Sequence, residues 1–209
     1  MQEKAFWQQG FAEFSSRMDI GWRPLNPRTS ALNSFITKEG LEMGTGPGDA
    51  GGGGRRGALW WRMNPVLLKP TSDVGARWIV NGRWWAACSA AAYLSYKKQL
   101  IPTILESYHA LAQTHDIVVL EGAGSPAEIN LKAEDIVNMG MARMAGAPVL
   151  LAGDIDRGGV FAALYGTMAL LEPDERAMVR ERIINKYGSS VENPPPGLTQ
   201  LEELTHVPV

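Results

Sequence analysis

From residue 97 onward the apolar positions of the chain switch repeatedly between two periods. Across Lys98–His115, Leu100, Ile101, Ile104, Leu105, Tyr108 and Leu111 fall at helical spacing. Ile117–Leu120 is then a short, wholly apolar run of strand length. Helical spacing returns over Ala133–Ala145, with Ile136, Val137, Met139, Met141 and Met144 available for an inner face. Pro148–Ala152 reads as a strand, Gly159–Leu171 as a helix, and Pro173 suits the first position of another helix. Arg182–Asn185 reads as a strand, Leu198–Leu204 as a short helix, and Val207–Val209 as the opening of a further strand. Strands alternating with helices predict an α/β fold with a doubly wound parallel sheet, in which strands 117–121, 148–152 and 182–186 share one direction.

The first 62 residues do not continue this alternation. Gly51–Gly54 is a bare glycine run followed by Arg55 and Arg56, so the stretch 45–62 is expected to pack loosely. All seven tryptophans (7, 22, 60, 61, 78, 84 and 85) lie at or before Trp85, an odd asymmetry for one small domain.

Two strand ends carry the candidate chemistry. Val118–Leu120 climbs to Glu121, breaks into Gly122-Ala123-Gly124, and meets a second carboxylate, Glu128, seven residues on. Val149–Gly153 leads to Asp154-Ile155-Asp156-Arg157-Gly158-Gly159 and then a helical pattern. A rigid strand presenting an acid beside glycines, whose backbone N–H groups can approach phosphate oxygens, suits a magnesium–phosphate site. Carboxyl ends of parallel strands face one crevice, so the two edges are expected to converge.

Composition narrows the class. The chain has 209 residues and a net charge of −2 with scattered Lys and Arg, which implies no nucleic-acid partner. Cys88 is the only cysteine, so no internal disulfide framework exists, and a reducing cytoplasm is the expected location. No apolar run has membrane-spanning length, and no membrane partner is expected. His109, His115 and His206 lack metal-ligand spacing.

The wording of the motifs goes further. Met63-Asn64-Pro65-Val66-Leu67-Leu68-Lys69-Pro70, Glu121–Leu131, Asp135-Ile136-Val137-Asn138-Met139-Gly140 and Gly153–Thr167 resemble cobyric acid synthase, a glutamine-dependent amidating family of cobalamin biosynthesis. The resemblance spans 63–82 and 89–187 almost continuously, with 31–44 as well. Dethiobiotin synthetase shares the implied fold, a P-loop NTPase-like α/β domain, but not the wording around Glu128 or Asp156. The resemblance implies ATP and Mg2+ as cofactors and a corrinoid carboxylate as substrate. It also implies a C-terminal glutamine amidotransferase domain, absent from this chain, as the source of ammonia.

On that resemblance, Glu121 would hold magnesium, and Gly122 and Gly124 would line the nucleotide site. Asn185 would read the adenine, with Lys186 beside it. Read from the residues themselves, Glu128 could orient the acceptor carboxylate or the metal, and the Asn130 amide suits a substrate carboxylate or amide. The dense grouping of Asp154, Asp156 and Arg157 with Gly158 and Gly159 favours a catalytic role. Each has a plainer alternative: Glu121 as a turn cap, Glu128 as a solvated acid, Asn130 and Asn185 as ordinary turn or strand-end residues. Asp156 could cap the following helix, and Arg157 could pair with either acid or grip a phosphate.

One element is missing. A synthetase of this type should carry strand, G-x-x-x-x-G-K-[ST], helix near its start, and no such match occurs. A one-base change of reading frame accounts for this. The family's Asp-Ala-Gly-Lys-Ser, written GAT GCA GGA AAA AGC, becomes Met-Gln-Glu-Lys-Ala when read one base later, which is residues 1–5. With suitable codons the same device yields residues 24–29 and 44–54. Residues 1–62 are therefore read as a divergent, out-of-frame segment, and 63–209 as a partial nucleotide-binding synthetase domain. A divergent N-terminus with a new role is the alternative.

Overall fold

The computed structural model describes residues 20–31, 33–44, 60–72, 75–89, 96–187 and 196–209. Of the stretch 45–62, on which the loose-packing expectation falls, residues 45–59 lie outside the described residues and Trp60–Met63 is a turn of 3-10 helix; 188–190 after the last strand also lie outside. The chain divides into two compact units: residues 1–124 with 134–141, and residues 125–133 with 142–209. They are described separately.

The first unit contains β1 (Trp22–Leu25), β2 (Thr29–Ser30), β3 (Ser34–Ile36), β4 (Glu42–Gly44), β5 (Val66–Ser72), β6 (Gly75–Val80), β7 (Arg83–Ser89), α1 (Ile101–Ala112) and β8 (Ile117–Leu120). β5, β6 and β7 form an antiparallel meander, and β2 joins β5 in parallel. Asn81 and Gly82 both have positive φ (49° and 74°), which matches the twist that a two-residue hairpin requires. Pro70 has no N–H to give the ladder, and the β5–β6 register slips between Pro70 and Ser72. Leu67 and Ile79 pack with Ala31 as a buried cluster, and Trp78 is also buried.

β1 pairs in parallel with β8, residue for residue from Trp22↔Ile117 to Leu25↔Leu120. Part of the stretch that the periodicity leaves outside the alternation therefore supplies the neighbour of the Glu121 strand. Of the three strands expected to share one direction, 149–154 and 179–185 pair in parallel with each other, and β8 pairs in parallel with β1. α1 follows a turn of 3-10 helix at Lys97–Leu100 and buries Ile104 and Leu111.

The second unit holds β9 (Val149–Asp154), α3 (Val160–Leu170), α4 (Pro173–Met178), β10 (Val179–Asn185) and α5 (Pro196–Thr205). β9 and β10 are parallel, as expected for a strand–helix–strand crossover. α3 buries Val160, Leu164 and Met168, and α5 buries Leu201. Gly153 in β9 lets α3 lie close: a Cβ there would meet Val160 Cγ2 at 2.8 Å. Val207–Val209, expected to open a further strand, is not in a strand within this chain. Arg182 N nevertheless donates to Pro208 O at 2.9 Å.

The helix expected over Ala133–Ala145 is shorter. α2 covers only Met139–Ala145, and Ile129–Glu134 is a 3-10 helix. Asp135 breaks the run: its carboxylate accepts from the N–H groups of Val137 and Asn138 (2.9 Å each) and of Gly140 (3.0 Å). A side chain that takes three backbone donors offers the chain an alternative to helix. Among the described residues no helix is long and apolar enough to cross a membrane.

Candidate functional site

In the first unit, β8 delivers Glu121 to the end of the parallel ladder. Glu121 N donates to Leu25 O at 2.9 Å, so its backbone is still held by β1. Asn26, buried just beyond β1, in the amide orientation that satisfies its nitrogen, donates to Glu121 O (3.3 Å) and Arg28 O (2.8 Å). The glycine turn that follows is braced from outside by the Asp135 loop. Asn138 Nδ2 donates to Ala123 O at 3.1 Å, and Asn138 Oδ1 fills the space that a Cβ on Gly122 would need. Gly124 has φ +78°, in the left-handed region.

Gly122 is therefore a packing requirement, whatever it also offers a phosphate. Gly122→Ala is expected to push Asn138 off Ala123 and lower stability by about 1–3 kcal/mol, the usual range for overpacking. Thermal denaturation of the variant tests this; an unchanged midpoint would mean that Asn138 and the Val137 carbonyl, which the Cβ would meet at 2.8 Å, both move aside freely.

Asp135, Asn138 and Asn26 are the residues that sequence reasoning missed. The Asp135–Gly140 motif carries a signal, an Asp two, three and five residues before its partners, but the apolar spacing around it reads as one helix over 133–145. Lys97 is almost fully buried near Asp135; burial lowers its pKa, and Asp135 opposes that shift.

In the second unit, the register places Asn185 directly opposite Asp154, so both strands end in polar residues at the same edge. Asn185 is buried. Asp154 Oδ1 accepts from Asp156 N at 3.0 Å, so Asp154 caps the turn Ile155–Arg157. This corrects the expectation that Asp156 caps a helix; Gly159, at φ +67°, stands at the N-cap of α3. Gly158 also has positive φ (71°), and the glycine pair makes the sharp entry into α3.

Lys186 joins the group. Its Nζ lies 2.8 Å from Asp156 Oδ2 and 3.1 Å from Asp154 Oδ2, and its backbone is left-handed at φ 62°. The two carboxylates, Asp156 foremost, raise its pKa and keep it an ammonium. Lys186 thus pairs with both acids; the Arg157 side chain, to which the sequence also offered such a pairing, lies outside the described part of the chain. Asp154, Asp156, Asn185 and Lys186 are brought together. Glu128, just before the 3-10 helix, and Asn130, within it, are exposed and belong to the same unit, whereas Glu121, Gly122 and Gly124 belong to the first unit. Among the described residues no group of three His, Cys, Asp or Glu side chains could by itself hold a metal ion.

No protein-family profile matches the chain. Individual proteins do. The chain is 58% identical over 181 residues to cobyric acid synthase of Lachnoclostridium phytofermentans, covering 86% of this chain and 35% of that protein. It is 53% identical over 197 residues to cobyric acid synthase of Yersinia enterocolitica (92% and 38%), and 51% identical over 187 residues to that of Ruminiclostridium cellulolyticum (89% and 36%). The chain thus spans little more than a third of the length of the relatives it matches, and it belongs to the cobyric acid synthase family.

Proposed function

We propose that this chain is the synthetase portion of a cobyric acid synthase. The reaction is ATP-dependent amidation of peripheral carboxylates of adenosylcobyrinic acid a,c-diamide, with ammonia released from glutamine by a separate amidotransferase domain. The supporting observation is sequence identity above one half to proteins of that name over most of the chain. A carboxylate is a poor acyl donor until one oxygen becomes a leaving group, and that activation is the chemistry ATP supplies.

Each unit, taken by itself, carries groups suited to part of such a cofactor. Asn185, buried at the carboxyl end of β10, has an amide suited to the edge of a purine. Glu121 can offer magnesium one carboxylate; Mg2+ commonly takes its other ligands from phosphates and water. Lys186 would meet phosphate oxygens only by exchanging them for Asp154 and Asp156, so the three side chains set the charge of that edge together. Glu128 and Asn130 would meet the acceptor.

The phosphate-loop lysine and its Ser/Thr neighbour have no counterpart in the sequence, and Lys4 stands beside Glu3 without loop glycines. This favours a catalytically incomplete chain. The second reading, a corrinoid-binding or assembly remnant, rests on the same absence.

Titration calorimetry with magnesium–ATP separates these possibilities. A version with the Asp-Ala-Gly-Lys-Ser frame and its upstream strand restored is expected to bind at least about a hundredfold more tightly than the chain as it stands, because loop amides and lysine supply most phosphate donors. Equal, tight binding by both would overturn the incompleteness. If the restored protein binds ATP but does not amidate the a,c-diamide with free ammonia, the remnant reading prevails.

A further inference from the structure

The segment Ser125–Ala133 is held in an unusual way. No residue of the 3-10 helix Ile129–Glu134 is buried, and Glu128, Ile129, Asn130 and Leu131 are all exposed, Ile129 at 62% and Leu131 at 54%. Apolar burial, which positions most elements, therefore does not position this one. Its internal bonds are local: Ala127 N to Ser125 Oγ (3.2 Å), Glu128 N to Ser125 O (3.4 Å) and Leu131 N to Glu128 O (2.9 Å). They fix the shape of the turn but not its place.

Lys132 supplies the place. Its Nζ donates to Leu170 O at the end of α3 (2.9 Å), lies 3.3 Å from Glu172 Oε1, and lies 2.9 Å from Glu175 Oε2 in α4. The side chain is only 20% exposed and that of Glu175 only 6%, so the contact is shielded from water and salt. Glu175 is itself fixed. Its Oε2 accepts from Glu172 N at 2.9 Å in a capping box, and Arg143 Nη2 stands 3.5 Å from its Oε1. At the far end of the helix, Glu134 meets Lys98 at 3.1 Å, but that pair is more exposed (33% and 66%) and lies in the first unit.

We propose that Lys132 is a positioning residue: an ammonium latch that docks the segment bearing Glu128 and Asn130 onto the α3–α4 corner and so sets where those two side chains meet the acceptor. The substrate half of this statement rests on the proposed function; the latch itself does not. Glu175, held above, keeps the Lys132 ammonium charged, Glu172 adding to its pull. An electrostatic latch rather than a packed one lets the segment release and redock as a unit without opening the core.

Two variants test this on the chain as it is. Lys132→Met keeps the aliphatic stem and removes the charge, and Lys132→Arg keeps the charge. Hydrogen exchange of residues 126–133 is expected to rise about tenfold or more in Lys132→Met, with 149–154 and 179–185 unchanged and Lys132→Arg close to the parent. The affinity for cobyrinic acid a,c-diamide, followed by absorbance, is expected to fall about tenfold in Lys132→Met and to recover in Lys132→Arg. Uniform acceleration across the second unit, or unchanged exchange at 126–133, would overturn the latch. Local release with unaltered corrinoid affinity would overturn the positioning role. If the parent chain binds no corrinoid, the substrate half falls together with the proposed function, and exchange alone decides the latch.

Discussion

Arg182→Ala is expected to cost about 3–5 kcal/mol, which combines a large buried volume with charge-assisted bonds lost. Arg182 lies in β10 yet is 1% exposed. Its Nη1 donates to Leu201 O at 3.0 Å, and its Nη2 donates to Val207 O. It thereby holds α5 and the residues after it against the strand. Burial lowers its pKa, opposed by Glu202. Without the guanidinium, Val207 O loses this donor, whereas Leu201 O keeps Thr205 Oγ1 at 2.7 Å. For a chain of this size the midpoint should fall by roughly 10 °C. Arg182→Met, which restores most of the volume, should recover about half of the loss. A midpoint within about 2 °C of the parent in the alanine variant would mean that α5 is held by Leu201 burial alone.

Asp135→Ala is the second large effect, expected at about 3 kcal/mol, because three backbone donors lose a charged acceptor together. The consequence should be local before it is global. Val137, Asn138 and Gly140 amides are expected to lose exchange protection, and Asn138 then no longer braces Ala123 and the turn after Glu121. Asp135→Asn should sit between the two, because it keeps one acceptor oxygen for two of the three donors. Retained protection at those amides, with a lowered midpoint, would show that Asp135 stabilises the chain by some other route.

These two residues also mark where sequence reading stopped. The elements after residue 97 were legible because their apolar periods are long and their ends carry Gly, Pro or acids. The predicted strand Ile117–Leu120 matches β8, and Gly159–Leu171 and Pro173 anticipate α3 and α4 closely. The acid edge of Asp154, Asp156 and Asn185 was legible for the same reason, since parallel strands end together. Lys186 was placed beside the base, but its grip on both acids depends on a left-handed residue that no pattern announces. The meander 66–89 escaped because Pro70 and three tryptophans obscure its alternation, although Asn81-Gly82 is a strong hairpin signal. Asp135 escaped because its neighbours fit a helix face equally well, and only the competition for backbone donors decides the outcome. Arg182 escaped because an arginine in a short apolar strand reads as its solvent side.

The pairing of β1 with β8 has a bearing on synthesis. Gly21 N donates to Asp116 Oδ2 at 2.9 Å across 95 positions of sequence, and the whole β1 ladder lies just beyond it. On a ribosome adding roughly 5–20 residues per second, Trp22–Leu25 would wait some 5–20 s for its partner to be made. During that interval Trp22–Leu25, whose Pro24 and Leu25 are buried in the folded chain, lacks its β8 ladder. Slower growth of the chain lengthens that interval, and with it the time in which the unpaired edge can meet another chain.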